Sequence, residues 1–138
     1  MSVTENRYAV LGRIAVVTGG AQGIGFAVAA KLLANGARVA LWDLNAEKAQ
    51  EAANNLSALG EAIAVECNVS NYDSVTAALA QTEEALGGVD ILVNSAGIAG
   101  SNATIEDYDI VEFQQIVNIN LMGTFYTNKA VITGMKAR

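Results

Sequence analysis

The 138 residues contain no histidine, no proline and a single cysteine. Without histidine there is no Ser-His-Asp triad, no histidine general base and no histidine-bearing metal site. The lone Cys67 can neither close an internal disulfide nor build a multi-thiolate metal centre. Nothing therefore points to an oxidising compartment, and a cytoplasmic location is the expectation. The absence of proline fits a helix-rich chain. Positive charge is scarce: 8 Lys and Arg stand against 14 Asp and Glu, for a net charge of −6. With no Lys/Arg cluster to neutralise phosphates, a nucleic-acid partner is not expected. No apolar run approaches the roughly 18 residues of a membrane span. The start, Met1 to Val10, is polar and mixed, so no signal peptide is read either. Apolar residues make up 52% of the chain and charged ones 16%. That balance belongs to a core-forming chain rather than a disordered one, and the length suits one domain over 1–138.

Strand and helix signals alternate four times. Residues 14–18 form a short β-branched run ending in Gly19-Gly20, which reads as a buried strand. Ile24 to Asn35 is apolar almost all round and stops at Gly36, a helix with its C-terminal glycine. A second strand over 38–43 precedes a helix from Asn45, its N-cap, to Leu59. The third strand covers 62–66. Ser70 and Asp73 have the spacing of a capping-box variant opening a helix to Leu86, with Val75, Leu79 and Leu86 on one face. The fourth strand, 89–93, runs into Asn94-Ser95-Ala96-Gly97, then a loop to about Asn102 and a last helix from about Asp109 to Lys136. Apolar strands alternating with helices imply a parallel sheet covered on both faces. The expected architecture is α/β, doubly wound and Rossmann-like, with four βα units and strand order 3-2-1-4.

Thr18-Gly19-Gly20-Ala21-Gln22-Gly23-Ile24-Gly25 joins the first strand to the first helix. Glycine lets the backbone turn tightly and lets a phosphate approach without meeting a Cβ. Unpaired N–H groups at the helix start then face the anion. The helix dipole adds roughly 0.3–1 kcal/mol, up to ~2 when partly buried. The spacing is Gly-x-x-x-Gly-x-Gly, without the Gly-Lys-Ser/Thr of an ATP-binding loop. A plain glycine-rich turn is the alternative; placement between a buried strand and an apolar helix argues against it. Asp43 ends the second strand. A carboxylate there can accept from both ribose hydroxyls of an adenosine, a charge-assisted contact of roughly 1.5–3 kcal/mol. It also repels a 2′-phosphate, by about 4 kcal/mol for unit charges ~4 Å apart at an effective dielectric of 20. Asp43 thus favours NAD over NADP. An exposed loop acid with only a turn role is the alternative.

The glycine loop, Asp43, Asn94-Ser95-Ala96-Gly97 and Asn120-Leu121-Met122-Gly123-Thr124-Phe125 together resemble the short-chain dehydrogenase/reductase family, in the family's order and at its usual intervals. The resemblance implies that Gly19, Gly23 and Gly25 are the cofactor-loop glycines, with Gln22 and Ile24 lining the pyrophosphate and nicotinamide side. Asp43 matches the ribose-binding acid. Asn68-Val69 stands where members usually have Asp-Val beside the adenine; the Asn68 amide oxygen would accept from the adenine amino group, without charge. Asn94 would brace the central sheet, while Ala96 and Gly97 admit the cofactor ribose. Asn120 matches the helix asparagine of the catalytic tetrad, which holds a water linked to the catalytic lysine. Asn118 lies about 200° away on a regular helix, so only one of the two faces the site.

The same resemblance implies hydride transfer between nicotinamide and a secondary alcohol or ketone, of 3-oxoacyl-reductase or alcohol and sugar dehydrogenase type. A tyrosine there serves as acid/base beside a lysine, in a Tyr-x-x-x-Lys pair. These 138 residues contain no such pair; Tyr126-Thr127-Asn128-Lys129 is one residue short and reads as an ordinary surface pair. The expectation is a truncated, cofactor-binding N-terminal half, inactive alone. Its fourth strand would be an open apolar edge. The last helix, with Ile116, Val117, Leu121, Phe125 and Val131, would contribute to a homo-oligomer interface. The alternatives are a non-catalytic dinucleotide-binding module and an assembly fragment that binds no nucleotide.

Overall fold

Strands β1 (Ile14–Thr18) and β2 (Arg38–Asp43) are apolar at nearly every position because both of their faces are covered. In the computed structural model, which describes residues 9–138, they form the centre of a parallel four-stranded sheet. Strands β3 (Ala62–Glu66) and β4 (Ile91–Asn94) lie at its edges, and the order is β3-β2-β1-β4, as expected. The reading of the polar start, Met1 to Val10, falls mostly on residues 1–8, which lie outside the described residues. Among the described residues no helix is long and apolar enough to cross a membrane.

Side chains alternate across the sheet with period two. Ala15, Val17, Val39 and Leu41 enter a core with Ala29, Leu33, Ala52, Ala53 and Leu56, from α1 (Gly23–Ala34) and α2 (Ala46–Leu56). Ile14, Val16, Ala40 and Trp42 enter the opposite core with Val75, Ala78 and Leu86 of α3 (Tyr72–Leu86) and Val131 of α5 (Gly123–Ala137). Trp42 is fully buried, and its Nε1–H donates to Thr82 Oγ1 at 2.9 Å. Thr82 Oγ1 in turn donates to Ala78 O at 2.8 Å. Thr82→Val keeps the shape but leaves the indole N–H without an acceptor. It is expected to cost about 1–3 kcal/mol in urea unfolding, with Thr82→Ser nearer the parent. A Val variant as stable as the parent would contradict this.

Helix ends follow their local chemistry. Gly36, at φ +93°, closes α1, with Gly36 N–H on Leu33 O and Ala37 N–H on Leu32 O, a Schellman pair. Asn45 caps α2 through Lys48 N–H at 3.0 Å. That helix stops at Leu56, not Leu59: the Ser57 hydroxyl donates to Asn54 O at 2.7 Å and competes with helix propagation. The Ser70–Asp73 capping box does not form. Ser70 is taken by Asn68, and Asn71 caps α3 by accepting from Ser74 N–H at 3.1 Å. β4 begins later than expected because Asp90 makes its first rung itself. Its N–H donates to Ile14 O at 2.8 Å, and its Oδ2 accepts from Ile14 N–H at 3.0 Å.

The expected single last helix is three segments: α4 (Ile110–Val117), capped by Asp109, then a π-helical turn over Asn118–Met122, then α5. The wider turn removes the regular-helix geometry on which the Asn118/Asn120 separation rests. Val131 is buried in the sheet core rather than on an outer face. Leu121 and Phe125 are exposed at 64% and 55%.

Candidate functional site

The C-terminal ends of all four strands open onto one cleft of about 500 Å³, within the range of small-ligand sites. One wall is the loop after β1, with Gly19, Gln22, Gly23 and Ile24. The second is Asp43 and the turn into α2, with Leu44, Asn45 and Lys48. The third is Cys67, Asn68 and Val69 after β3, and the fourth is Ala96, Gly97 and Ile98 after β4. The topology thus brings together nine of the positions singled out from the sequence. Gly25, Asn94 and Asn120 stand behind the walls and support them.

Two glycines are required by space. Gly19 has φ +62°, and a Cβ on it would lie 2.9 Å from Ala96 Cα; a Cβ on Gly25 would lie 2.4 Å from Gly19 O. The loops after β1 and β4 therefore touch backbone to backbone. Thr18, buried at the end of β1, locks that contact: its Oγ1 accepts from Ser95 N–H and Ala96 N–H, each at 3.0 Å.

The start of α1 differs from those of α2, α3 and α4. Asn45, Asn71 and Asp109 cap those helices with side chains, and each has an acid in its first turn. At α1, Gln22 is extended, its side chain makes no cap, and the first turn has no acid. Phe26 N–H, on Gln22 O at 3.3 Å, is the first amide to return to the chain. The preceding residues Gln22, Gly23 and Ile24 line the cleft, with the positive end of the helix dipole beside it. An anion is the natural complement.

Asp43 is half-buried at the adjoining wall. Its Oδ2 accepts from Ala21 N–H at 3.2 Å and its Oδ1 from Asn45 N–H at 3.0 Å. A carboxylate offers about four acceptor positions, so two remain for two hydroxyls of a ligand. The turn role and a ligand role are thus compatible. Lys48 is the cationic residue on this wall.

Asn68 departs from expectation. Its Oδ1 accepts from Ser70 Oγ–H at 2.6 Å and from Ser70 N–H at 3.1 Å. The oxygen assigned to an adenine amino group is committed to the turn before α3, and the group left over is the amide NH₂, a donor. Cys67, which sequence reading used only to exclude disulfides and metals, lines the same wall. Burial raises its thiol to about 11, against a smaller opposing hydrogen bond with Ser74, so it stays protonated at neutral pH. Its position directly after β3 was the available signal.

Asn94 and Asn120 both brace. Asn94 Oδ1 accepts from Thr127 Oγ–H at 2.6 Å, tying β4 to α5. Asn120 takes Ile98 at both backbone atoms: Ile98 N–H donates to Oδ1, and Nδ2 donates to Ile98 O, each at 2.9 Å. This fixes the loop beside Gly97. Thr127 went unnoticed in the sequence because its partner lies 33 residues away and no local pattern marks it. Ile24, expected within an all-round apolar helix, is 79% exposed at the cleft mouth.

The profile of the short chain dehydrogenases matches residues 13–138. The chain is 43% identical over 135 residues to 2-dehydro-3-deoxy-L-rhamnonate dehydrogenase (NAD(+)) of Sphingomonas sp. (strain SKA58), covering 98% of this chain and 52% of that protein. It is 39% identical to a 3alpha-hydroxysteroid dehydrogenase of Mediterraneibacter gnavus, covering 90% of this chain and 50% of the relative. Among solved structures, 3-ketoacyl-(acyl-carrier-protein) reductase from Brucella melitensis, complexed with NADH, superposes with a TM-score of 0.89 at 30% identity, over 94% of this chain and 52% of that one. The chain spans about half the length of the relatives it matches. With this sheet order, this cleft and matches over nearly all of its residues, the chain belongs to the short chain dehydrogenase family.

Proposed function

We propose that this chain holds NAD as the cofactor-binding part of an oxidoreductase acting on a secondary alcohol or ketone. The observation that carries the reading is the uncapped, acid-free start of α1, opening onto a cleft whose loop holds two glycines, Gly19 and Gly25, with no room for a Cβ. The bound cofactor would supply the hydride acceptor or donor. The chain's own residues do the holding. N–H groups from Gln22 to Gly25 meet the diphosphate, and Asp43 uses its two open acceptor positions on the adenosine ribose. Asn68 and Val69 lie at the adenine, where the Asn68 NH₂ suits a ring-nitrogen acceptor better than the amino group. Ala96 and Gly97 leave space for the second ribose, beside Ile24. Asn120 keeps one lone pair and one N–H of its amide open, enough for the water assigned to it by resemblance.

One relative is named for a hydroxysteroid and one structure for a ketoacyl substrate, and both fit alcohol and ketone chemistry. A homo-oligomer formed through the exposed apolar residues of α4 and α5, and a cytoplasmic setting, belong to the same proposal. A non-catalytic dinucleotide-binding module is the second reading; it needs only the binding residues named above and no Tyr-x-x-x-Lys pair. Titration calorimetry tests the common core of both. NAD is expected to bind at least about tenfold more tightly than NADP, since the Asp43 carboxylate repels a 2′-phosphate. Equal affinities would remove the assigned role of Asp43; no binding of either would remove the proposal.

A further inference from the structure

We infer that Asp43 is also a positioning residue for the diphosphate loop, an inference that rests on the reading of the cleft as a dinucleotide site. Three N–H groups hang the loop after β1 from the end of β2. Gly19 N–H and Gly20 N–H reach Trp42 O at 2.7 and 3.5 Å, and Ala21 N–H reaches Asp43 Oδ2 at 3.2 Å. The first two are backbone bonds that survive any substitution. The third depends on one side chain, and it is the last hold before the loop leaves the body of the protein. Gln22, Gly23 and Ile24 beyond it are exposed, and a Cβ on Gly23 would meet nothing within 4 Å. Packing does not fix the chain there.

The free N–H groups at the start of α1 thus lie between two holds, Ala21 on Asp43 and the buried Gly25 packed onto Gly19, and the first of these depends on one side chain. The other carboxylate oxygen, on Asn45 N–H at 3.0 Å, closes the turn into α2. One side chain thus fastens the loop entering α1 to the turn entering α2. Aspartate at this position recognises the ribose and, before any ligand arrives, aligns the amides that receive the diphosphate.

The test compares two neutral variants, Asp43→Ala and Asp43→Asn, so that loss of charge is common to both. The probe is 2′,3′-dideoxyadenosine 5′-diphosphate, which has no hydroxyls for a ribose-reading side chain. The Asn side chain offers one oxygen in place of two, for Ala21 N–H or for Asn45 N–H, and amide exchange at Asn45 shows which it takes; the Ala side chain offers none. Asp43→Asn is expected to bind the probe about fivefold more tightly than Asp43→Ala, the worth of one ordinary hydrogen bond. Amide hydrogen exchange without ligand is expected to be faster at Ala21 in Asp43→Ala than in Asp43→Asn. Gly19 and the sheet amides should be equally protected in both, which shows that both variants fold. Ala21 exchange in Asp43→Ala no faster than in the parent chain, with equal probe affinities, would confine Asp43 to the ribose and overturn the inference while leaving NAD binding intact. A parent chain that binds neither NAD nor the probe would instead overturn the dinucleotide reading, and the inference with it.

Discussion

Gly25→Ala is expected to lose most dinucleotide binding and to unfold well below the parent chain. The new Cβ would sit 2.4 Å from Gly19 O and 3.0 Å from Gly19 C, with Ser95 Oγ at 3.1 Å. Two of these are backbone atoms at the end of a buried strand, and Gly19 is itself pressed against Ala96. No flexible side chain can yield, so α1 must shift outward as a unit. Overpacking of this kind costs roughly 1–3 kcal/mol, which lowers Tm by several degrees in a domain of this size. The same shift moves the amides at the start of α1 off their target, so affinity for NAD falls by at least about tenfold, since ~1.4 kcal/mol is a factor of ten. Gly23→Ala separates the two effects. Its Cβ would meet open space, but its φ of +60° is strained for alanine, by about 1–2 kcal/mol. Thermal unfolding followed by circular dichroism, with calorimetry on NAD, reads both variants. A Gly25→Ala chain with parental Tm and parental affinity would mean that the contact between the loops after β1 and β4 does not shape the cleft.

The sheet was legible because its information is local. Runs such as 14–17 and 39–42 are apolar at successive positions, and their shortness and the glycines beside them mark them as strands covered on both faces. The turn residues between runs mark where each helix begins and ends. The cleft was legible for the same reason: a strand-end glycine loop and a strand-end acid declare themselves within a few residues. What failed was whatever a distant or competing partner decides. Ser70 carries a good capping signal, yet Asn68, two residues earlier, takes its hydroxyl and hands the cap to Asn71. Asp90 resembles a strand residue but spends its carboxylate on Ile14 N–H, delaying β4. The π turn arises where Asn120 reaches across to Ile98 and Gly123 presses onto Val69. Helical periodicity along 109–136 cannot report contacts 22 and more residues away. The chemical identity of Asn68 was read correctly and its free group was not, because its bonding to Ser70 is a property of the turn.

The 138 residues alone are expected to bind NAD and yet not to consume NADH with small ketones, when absorbance of the reduced nicotinamide is followed. Reduction of a ketone needs a proton delivered to the forming alkoxide, and a positioned acid contributes about 10²–10⁴-fold. Among the residues lining the cleft, the ionisable side chains are Asp43, Lys48 and Cys67. In the proposed pose all three lie at the adenosine end, away from Ile24, Ala96 and Gly97. Cys67 is further disqualified by burial, which lifts its thiol to about 11 and keeps it 2% exposed. Tyr126 packs against Tyr72 and Phe125, with ring centroids 5.5 and 5.9 Å away, and lies outside the cleft lining. Lys129, three positions on, is an exposed residue of α5 rather than its partner in the site. In that pose no ionisable side chain among the described residues that line the cleft lies at the carbon that would react. A longer chain that adds a Tyr-x-x-x-Lys pair is expected to turn over under the same conditions, with the binding residues described here unchanged in role. Ketone-dependent loss of NADH by the 138 residues themselves would show that the cleft carries a proton donor among the residues already named, and Asp43 and Lys48 would then be the first substitutions to make.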